Sequence, residues 1–232
     1  MSHGIRYHLK SLIQKNRFIY LLIACLMVLI IPAFSGDNFA AELLFFTAMS
    51  FLFIQSMVAA TNIKSRNKLA RYIAVVALII IIWLGPVGFL FKFYHEIKLI
   101  LLVLFFSFVI WSLLRFVSRS PTVNSDVIIV VIIIYLLFGI LAGNLSNLFY
   151  LHYPHAYHFP ESIVKPGLVD FLYFSFITMA TVGYGDITPI RSETQTLSYL
   201  IAIIGQLYVA IIIAIIVGKY LAGNTGNKNH TN

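Results

Sequence analysis

A chain of 232 residues that is 60% hydrophobic and only 10% charged, with a mean hydropathy of +0.93, cannot hide its apolar surface inside one water-soluble globule. It reads as an integral membrane protein, and the spans it needs leave no room for a soluble domain of ordinary size. A net charge of +8 would suit a nucleic-acid surface, but the basic residues fall between apolar runs, and a single cysteine excludes an intramolecular disulfide or a multi-cysteine metal cluster.

In chain order, residues 1–17 form a basic cytoplasmic lead (Arg6, Lys10, Lys15, Arg17) that enters a first apolar span over 18–34, read as an uncleaved span in preference to a signal peptide. Cys25 lies inside that span and reads as an inert buried thiol. Pro32, Ser35, Gly36 and Asp37 predict a turn, and residues 40–60 a second span. A basic stretch over 62–71 precedes a third span at 72–91, which ends near Gly85-Pro86. The fourth, 97–117, closes on Arg115 and Arg119; the fifth covers 126–148. The sixth covers 193–221 and is entered through Ser192-x-x-Gln195, the pattern of a capping box. Between the last two, residues 168–180 are apolar or aromatic but would reach only about 20 Å as a helix, short of a hydrocarbon core of about 30 Å. That segment must re-enter, which is allowed only where backbone is buried in protein or lines a watery cavity.

The re-entrant helix leads into Thr181-Val182-Gly183-Tyr184-Gly185-Asp186. For consecutive carbonyls to point toward one axis, alternate residues must visit positive φ, which glycine does at least cost, and Gly183 and Gly185 stand at alternate positions. Four copies of such a loop could replace the water shell of a potassium ion with the carbonyls of Thr181, Val182, Gly183 and Tyr184 and the Thr181 hydroxyl, while Val182 and Tyr184 turn outward to pack. The negative end of the preceding helix would favour a cation there.

The string TVGYGD, with Asp170 to Phe176 before it and Asp186-Ile187-Thr188-Pro189 after it, resembles the pore region of bacterial potassium channels. The likeness covers roughly residues 126–221; the preceding 125 resemble the family in helix count alone. It implies an all-α membrane fold of six transmembrane helices plus a re-entrant pore helix and filter loop, like that of voltage-gated channels, assembled as a homotetramer. It also implies Thr181, Val182, Gly183, Tyr184 and Gly185 as the potassium filter, with Asp186 and Tyr173 as its support. Ala180 stands where the family often has a second threonine. Tyr173 takes the place of a bracing aromatic that is often Trp, and Ile177 replaces a polar or acidic residue that holds the aspartate in some members.

Several expectations complete this reading. With both termini in the cytoplasm, only Lys92, Lys98, Lys165 and Arg191 of the sixteen basic residues lie outside, as the positive-inside bias requires. The division is residues 1–17 as lead, 18–119 as a four-helix sensor-like bundle, 120–222 as pore domain and 223–232 as a disordered tail. The fourth span has no basic residue between Leu99 and Leu114, and Glu42 is the sole candidate countercharge in the first three, so the bundle is expected not to sense voltage. Trp83 and Trp111 read as interfacial anchors. On the sixth helix, Gly205 is read as a hinge in preference to a packing contact, with Gln206, Val209, Ile213 and Val217 on one face lining the cavity. His152, His155 and His158 recur in the outer loop, where a solvated turret is preferred to a zinc or proton sensor. No histidine is placed within a span, which disfavours a haem-binding reductase, and no enzymatic motif is present. Potassium is expected as permeant ion and no cofactor. The expected partners are identical subunits and the lipid bilayer of a plasma or bacterial inner membrane, without nucleic acid or a soluble ligand-binding domain. The competing function is a non-conducting scaffold or potassium-transporter subunit that retains the motif. The short connection after Arg115, broken by Pro121, predicts that each bundle packs against the pore helices of its own chain.

Overall fold

A computed structural model describes residues 16–34, 39–60, 68–84, 94–121 and 123–228. The expected basic lead before residue 16, the turn at Ser35 to Asp37, residues 61–67 of the basic stretch, the Gly85-Pro86 stop with Lys92, and the last four residues lie outside the described residues. The elements are α1 Arg17–Phe34, α2 Phe39–Ala60, α3 Lys68–Trp83, α4 Tyr94–Arg119, α5 Ser125–His152, β1 Tyr157–His158, α6 Leu168–Met179, β2 Thr188–Pro189 and α7 Ser192–Lys228. Among them, Tyr94–Arg119, Ser125–His152 and Ser192–Ile215 are long and apolar enough to cross a membrane. Arg17–Pro32, Leu43–Ala59 and Leu168–Met179 are shorter apolar helices.

Apolar residues three and four apart give each peripheral helix one buried stripe. On α1 it is Leu21, Ala24, Cys25 and Val28, and on α4 Leu99, Leu102, Phe106, Val109, Leu113 and Val117. These stripes and Ala48, Met49, Leu52 and Phe53 of α2 form one core that continues into α5 through Val127, Val130, Ile133, Ile134 and Leu137. The peripheral bundle is thus packed on the α5 helix of its own chain. The joint between α4 and α5 is short: Pro121 ends the helical path, and the Asn124 side chain accepts the Val127 N–H at 3.1 Å to start the next helix. At the same end, Phe18 and Phe116 rings meet at 4.9 Å and tie α1 to α4.

Of the three long helices, α5 is the most enclosed and α7 the least. Large apolar side chains such as Ile203, Leu207, Ile211 and Ile213 are exposed along α7. The helix also runs to Lys228, so residues 223–228 are helical, where a disordered tail was expected. Adding residues to an existing helix avoids the cost of nucleation, so a Gly- and Asn-containing extension can follow a long apolar helix. His95 and His152 lie inside the ends of α4 and α5, because both helices run a few residues beyond the expected spans.

Candidate functional site

The TVGYGD loop is positioned by α6, and α6 is positioned by glycines on both neighbours. Its start is fixed by the Gly167 N–H, which donates to Asp170 Oδ2 at 2.8 Å. A Cβ on Gly139 of α5 would lie 2.3 Å from Cζ of Phe176, and one on Gly143 would lie 2.9 Å from Cδ2 of Leu172. This Gly139-x-x-x-Gly143 spacing removes side chains from one helical face so that two backbones can approach. The buried Ser175 hydroxyl then lies 2.8 Å from both the Gly139 and the Leu172 carbonyl oxygens and can donate to either. From the other side, a Cβ on Gly205 of α7 would lie 2.3 Å from the Met179 carbonyl oxygen. Gly205 therefore makes a close packing contact within the continuous α7 helix. The GxxxG pair was legible in the sequence and went unread.

Beyond α6 the chain stays hydrogen-bonded for a few residues. The Ala180 N–H donates to Phe176 O at 2.9 Å and the Thr181 N–H to Thr178 O at 3.0 Å. The Ile177 carbonyl accepts from both Val182 (2.9 Å) and Gly183 (3.2 Å), so Ile177 holds the loop through its backbone although its side chain cannot reach an acid. Positive φ then occurs at every second residue: 60° at Thr181, 50° at Gly183 and 80° at Gly185. The two glycines were expected to take this conformation. Thr181 was not, since a β-branched residue there is strained by about 1–3 kcal/mol, and no pattern in the sequence announces it. Its hydroxyl donates to the Ala180 carbonyl at 2.7 Å and receives the Gln206 amide at 3.4 Å, which joins the loop to α7.

Tyr173 and Asp186, each read separately as support for the loop, are hydrogen-bonded to one another: the phenol donates to Asp186 Oδ2 at 2.7 Å. That bond holds the Asp186 carboxyl below the ordinary carboxylate range. Val182 and Tyr184 were expected to pack outward. Within the single chain both are exposed, Tyr184 by 73%.

The outer loop is pinned to the segment after Asp186. β1 and β2 pair antiparallel, Tyr157 with Pro189 and His158 with Thr188, in a ribbon too short to show as a period in the sequence. The Ala156 carbonyl accepts both the Ile190 N–H (2.8 Å) and the Thr194 hydroxyl (2.9 Å). Tyr157, Phe171 and Phe174 are buried behind the ribbon, and burial pushes the Tyr157 hydroxyl up to about 12. Arg191 lies over the Tyr153 ring at 4.3 Å and pairs with Glu193 at 2.9 Å. The capping box expected at Ser192 and Gln195 does not form. The Ser192 hydroxyl turns to Glu193, and Gln195 reaches the Ile190 carbonyl at 3.2 Å, because Arg191 and Thr194 already occupy that turn. His152, His155 and His158 are all exposed. Among the described residues no three His, Cys, Asp or Glu side chains come together to hold a metal.

On α7, Ile201, Gly205 and Ile212 are buried, and Tyr208 donates its hydroxyl to the Val131 carbonyl of α5 at 2.7 Å. Gln206, Val209, Ile213 and Val217, read as one face, are exposed. The structure brings Gln206 to Thr181 and leaves the other three uncovered by this chain.

Residues 130–221 match the family described as "Ion channel". A curated relative, two-pore potassium channel 3 of Arabidopsis thaliana, is 28% identical over 101 residues, which cover 42% of this chain and 21% of that protein. No solved structure matches. The matched region holds α6, the TVGYGD loop and the three close-packing glycines, so residues 130–221 are similar to an ion-channel domain, and the chain spans about a fifth of the potassium-channel relative's length.

Proposed function

We propose that this protein is a potassium-selective channel that conducts passively through four copies of the 181–185 loop. The observation that carries the reading is the alternation of positive φ at Thr181, Gly183 and Gly185. It is the backbone pattern that lets successive carbonyls face one axis and replace an ion's hydration shell. A single loop per chain supplies a quarter of each carbonyl ring, so the assembly is a homotetramer. The bare faces of α7 agree with that assembly, since the exposed Val209, Ile213 and Val217 stripe would face the shared cavity and the remaining apolar surface would meet neighbouring copies or lipid. Thr181 to Gly185 bind the ion, Asp186 and Tyr173 brace the loop, and Gln206 contacts the inner end of the loop. Six helices span the membrane with both termini cytoplasmic, and α1 to α4 form a sensor-like bundle that does not detect voltage.

The test is reconstitution in liposomes with an outward potassium gradient, where a protonophore couples potassium efflux to proton uptake read by a pH dye. Potassium and rubidium should pass far better than sodium, and barium should block. Equal sodium and potassium flux, or none, would reject the proposal.

A further inference from the structure

We infer that the crevice between the inner ends of α4 and α7 is a binding site for one acyl chain of an anionic phospholipid, whose headgroup is held by Arg115 and Arg119. The crevice has a volume of about 540 Å³ and is walled by Leu114, Val117 and Ser118 of α4, Phe138 of α5, and Leu207 and Tyr208 of α7. That volume is in the range of small-molecule sites, about 300–1,000 Å³. Its two polar side chains are already engaged: Ser118 donates to the Arg115 carbonyl at 3.2 Å and Tyr208 to the Val131 carbonyl at 2.7 Å. The wall therefore offers hydrocarbon contacts, and water inside would find few partners.

Length selects the occupant. The α7 wall runs from Ile204 to Ile215, about 16 Å along a helix. One leaflet of a bilayer core is about 15 Å deep. Ile204 adjoins Gly205, which packs on the end of the re-entrant α6, so the crevice begins near mid-membrane and opens at the inner surface. This placement rests on the membrane orientation proposed above.

Charge selects the headgroup. Arg115 and Arg119 occupy the same α4 segment as the lining residues, and both are exposed. Arg115 stacks on the Trp111 ring at 5.0 Å, an arrangement in which a guanidinium can still donate from its edge. No acidic residue occurs in the sequence from 97 to 125 or from 194 to 232, and the acid at the start of the third lining helix, Asp126, acts on Arg17 of α1. A phosphate with a net negative charge complements that rim, whereas a zwitterionic headgroup brings its own ammonium.

The full chain in phosphatidylcholine liposomes, doped with phosphatidylglycerol carrying a photoactivatable acyl chain, provides the test. Adducts should concentrate on peptides containing 114–118 and 204–215, with a preference over the matching phosphatidylcholine probe. Arg115→Gln and Arg119→Gln should each lower that preference about fivefold, and Leu207→Trp should clear adducts from the crevice. Adducts spread evenly over the outer face of α4, or a preference that survives both arginine changes, would overturn the site. So would oxidative joining of two chains through Leu207→Cys, which would show that a second copy fills the crevice. Labelling does not require conduction. Potassium flux measured in the same liposomes therefore separates the two ideas: flux without site-specific adducts rejects the lipid site alone, and adducts without flux reject the channel reading alone.

Discussion

The carbonyl oxygen of Met179 stands where a side chain on Gly205 would have to be, 2.3 Å from the position of its Cβ. This contact sets the last turn of α6 against the middle of α7 and so fixes the depth from which the TVGYGD loop starts. It also yields a test whose sign decides between two roles. In a helix interior, replacing glycine by alanine stabilises by about 1 kcal/mol where space allows. Overpacking instead costs about 1–3 kcal/mol. Gly205→Ala should therefore lower thermal stability in detergent, and an increase would show that the contact is loose and favour the hinge role.

At Gly185 the opposite situation holds, since a Cβ would meet nothing within 4 Å and only the φ of 80° opposes a side chain. Gly185→Ala should cost about 1–2 kcal/mol of local backbone strain and leave the helical packing unchanged. Potassium flux should lose its preference over sodium while circular dichroism and melting stay near the parent. Retained selectivity would show that the ion ligands lie elsewhere.

The Tyr173 to Asp186 bond predicts a pH effect. It depresses the Asp186 carboxyl relative to its ordinary value of 3.8, so its contribution to the folded loop is complete above that value and is lost as pH falls through the depressed one. Tyr173→Phe removes the leading cause of the depression and should raise the Asp186 titration midpoint. Infrared spectroscopy of the carboxyl with isotope-labelled aspartate measures this directly. An unchanged midpoint would mean that backbone groups alone hold the carboxylate.

Voltage should matter little. Moving one elementary charge through the membrane is worth about 2.3 kcal/mol per 100 mV, and the middle of α4, from Leu99 to Leu114, carries none. Conductance in planar bilayers should change only slightly between about −100 and +100 mV. A steep curve would direct attention to Arg115 and Arg119 as mobile charges.

The parts of this architecture visible in the sequence are those governed by length and by backbone permissiveness. Residues 168–180 were too short to cross, and α6 occupies Leu168–Met179. Gly183 and Gly185 were marked by their spacing. Resemblance marked Tyr173 and Asp186 separately as support, but not their bond to each other, and no periodicity would have found two residues thirteen positions apart. Thr181 escaped because its strain is imposed by the bonds on either side, against its own preference. The close contact of Gly205 was not legible because a glycine in an apolar helix has the same appearance whether the neighbouring backbone is close or distant. The β1 and β2 ribbon rests on one pair of strand ends and on the Ala156 carbonyl, a tertiary arrangement that two-residue strands do not encode locally.

The clasp formed by Gly139, Gly143 and Gly205 also limits how this loop could be transplanted. Moving residues 168–186 into a channel would carry the proposed ion ligands but leave behind the three side-chain-free positions on two other helices. A recipient with alanine or larger residues there would hold α6 farther from its neighbours and shift the start of the loop. A functional chimaera should therefore need the donor's glycines at all three positions, which makes the smallest portable unit three helices in size although the proposed ion-contacting part is five residues long.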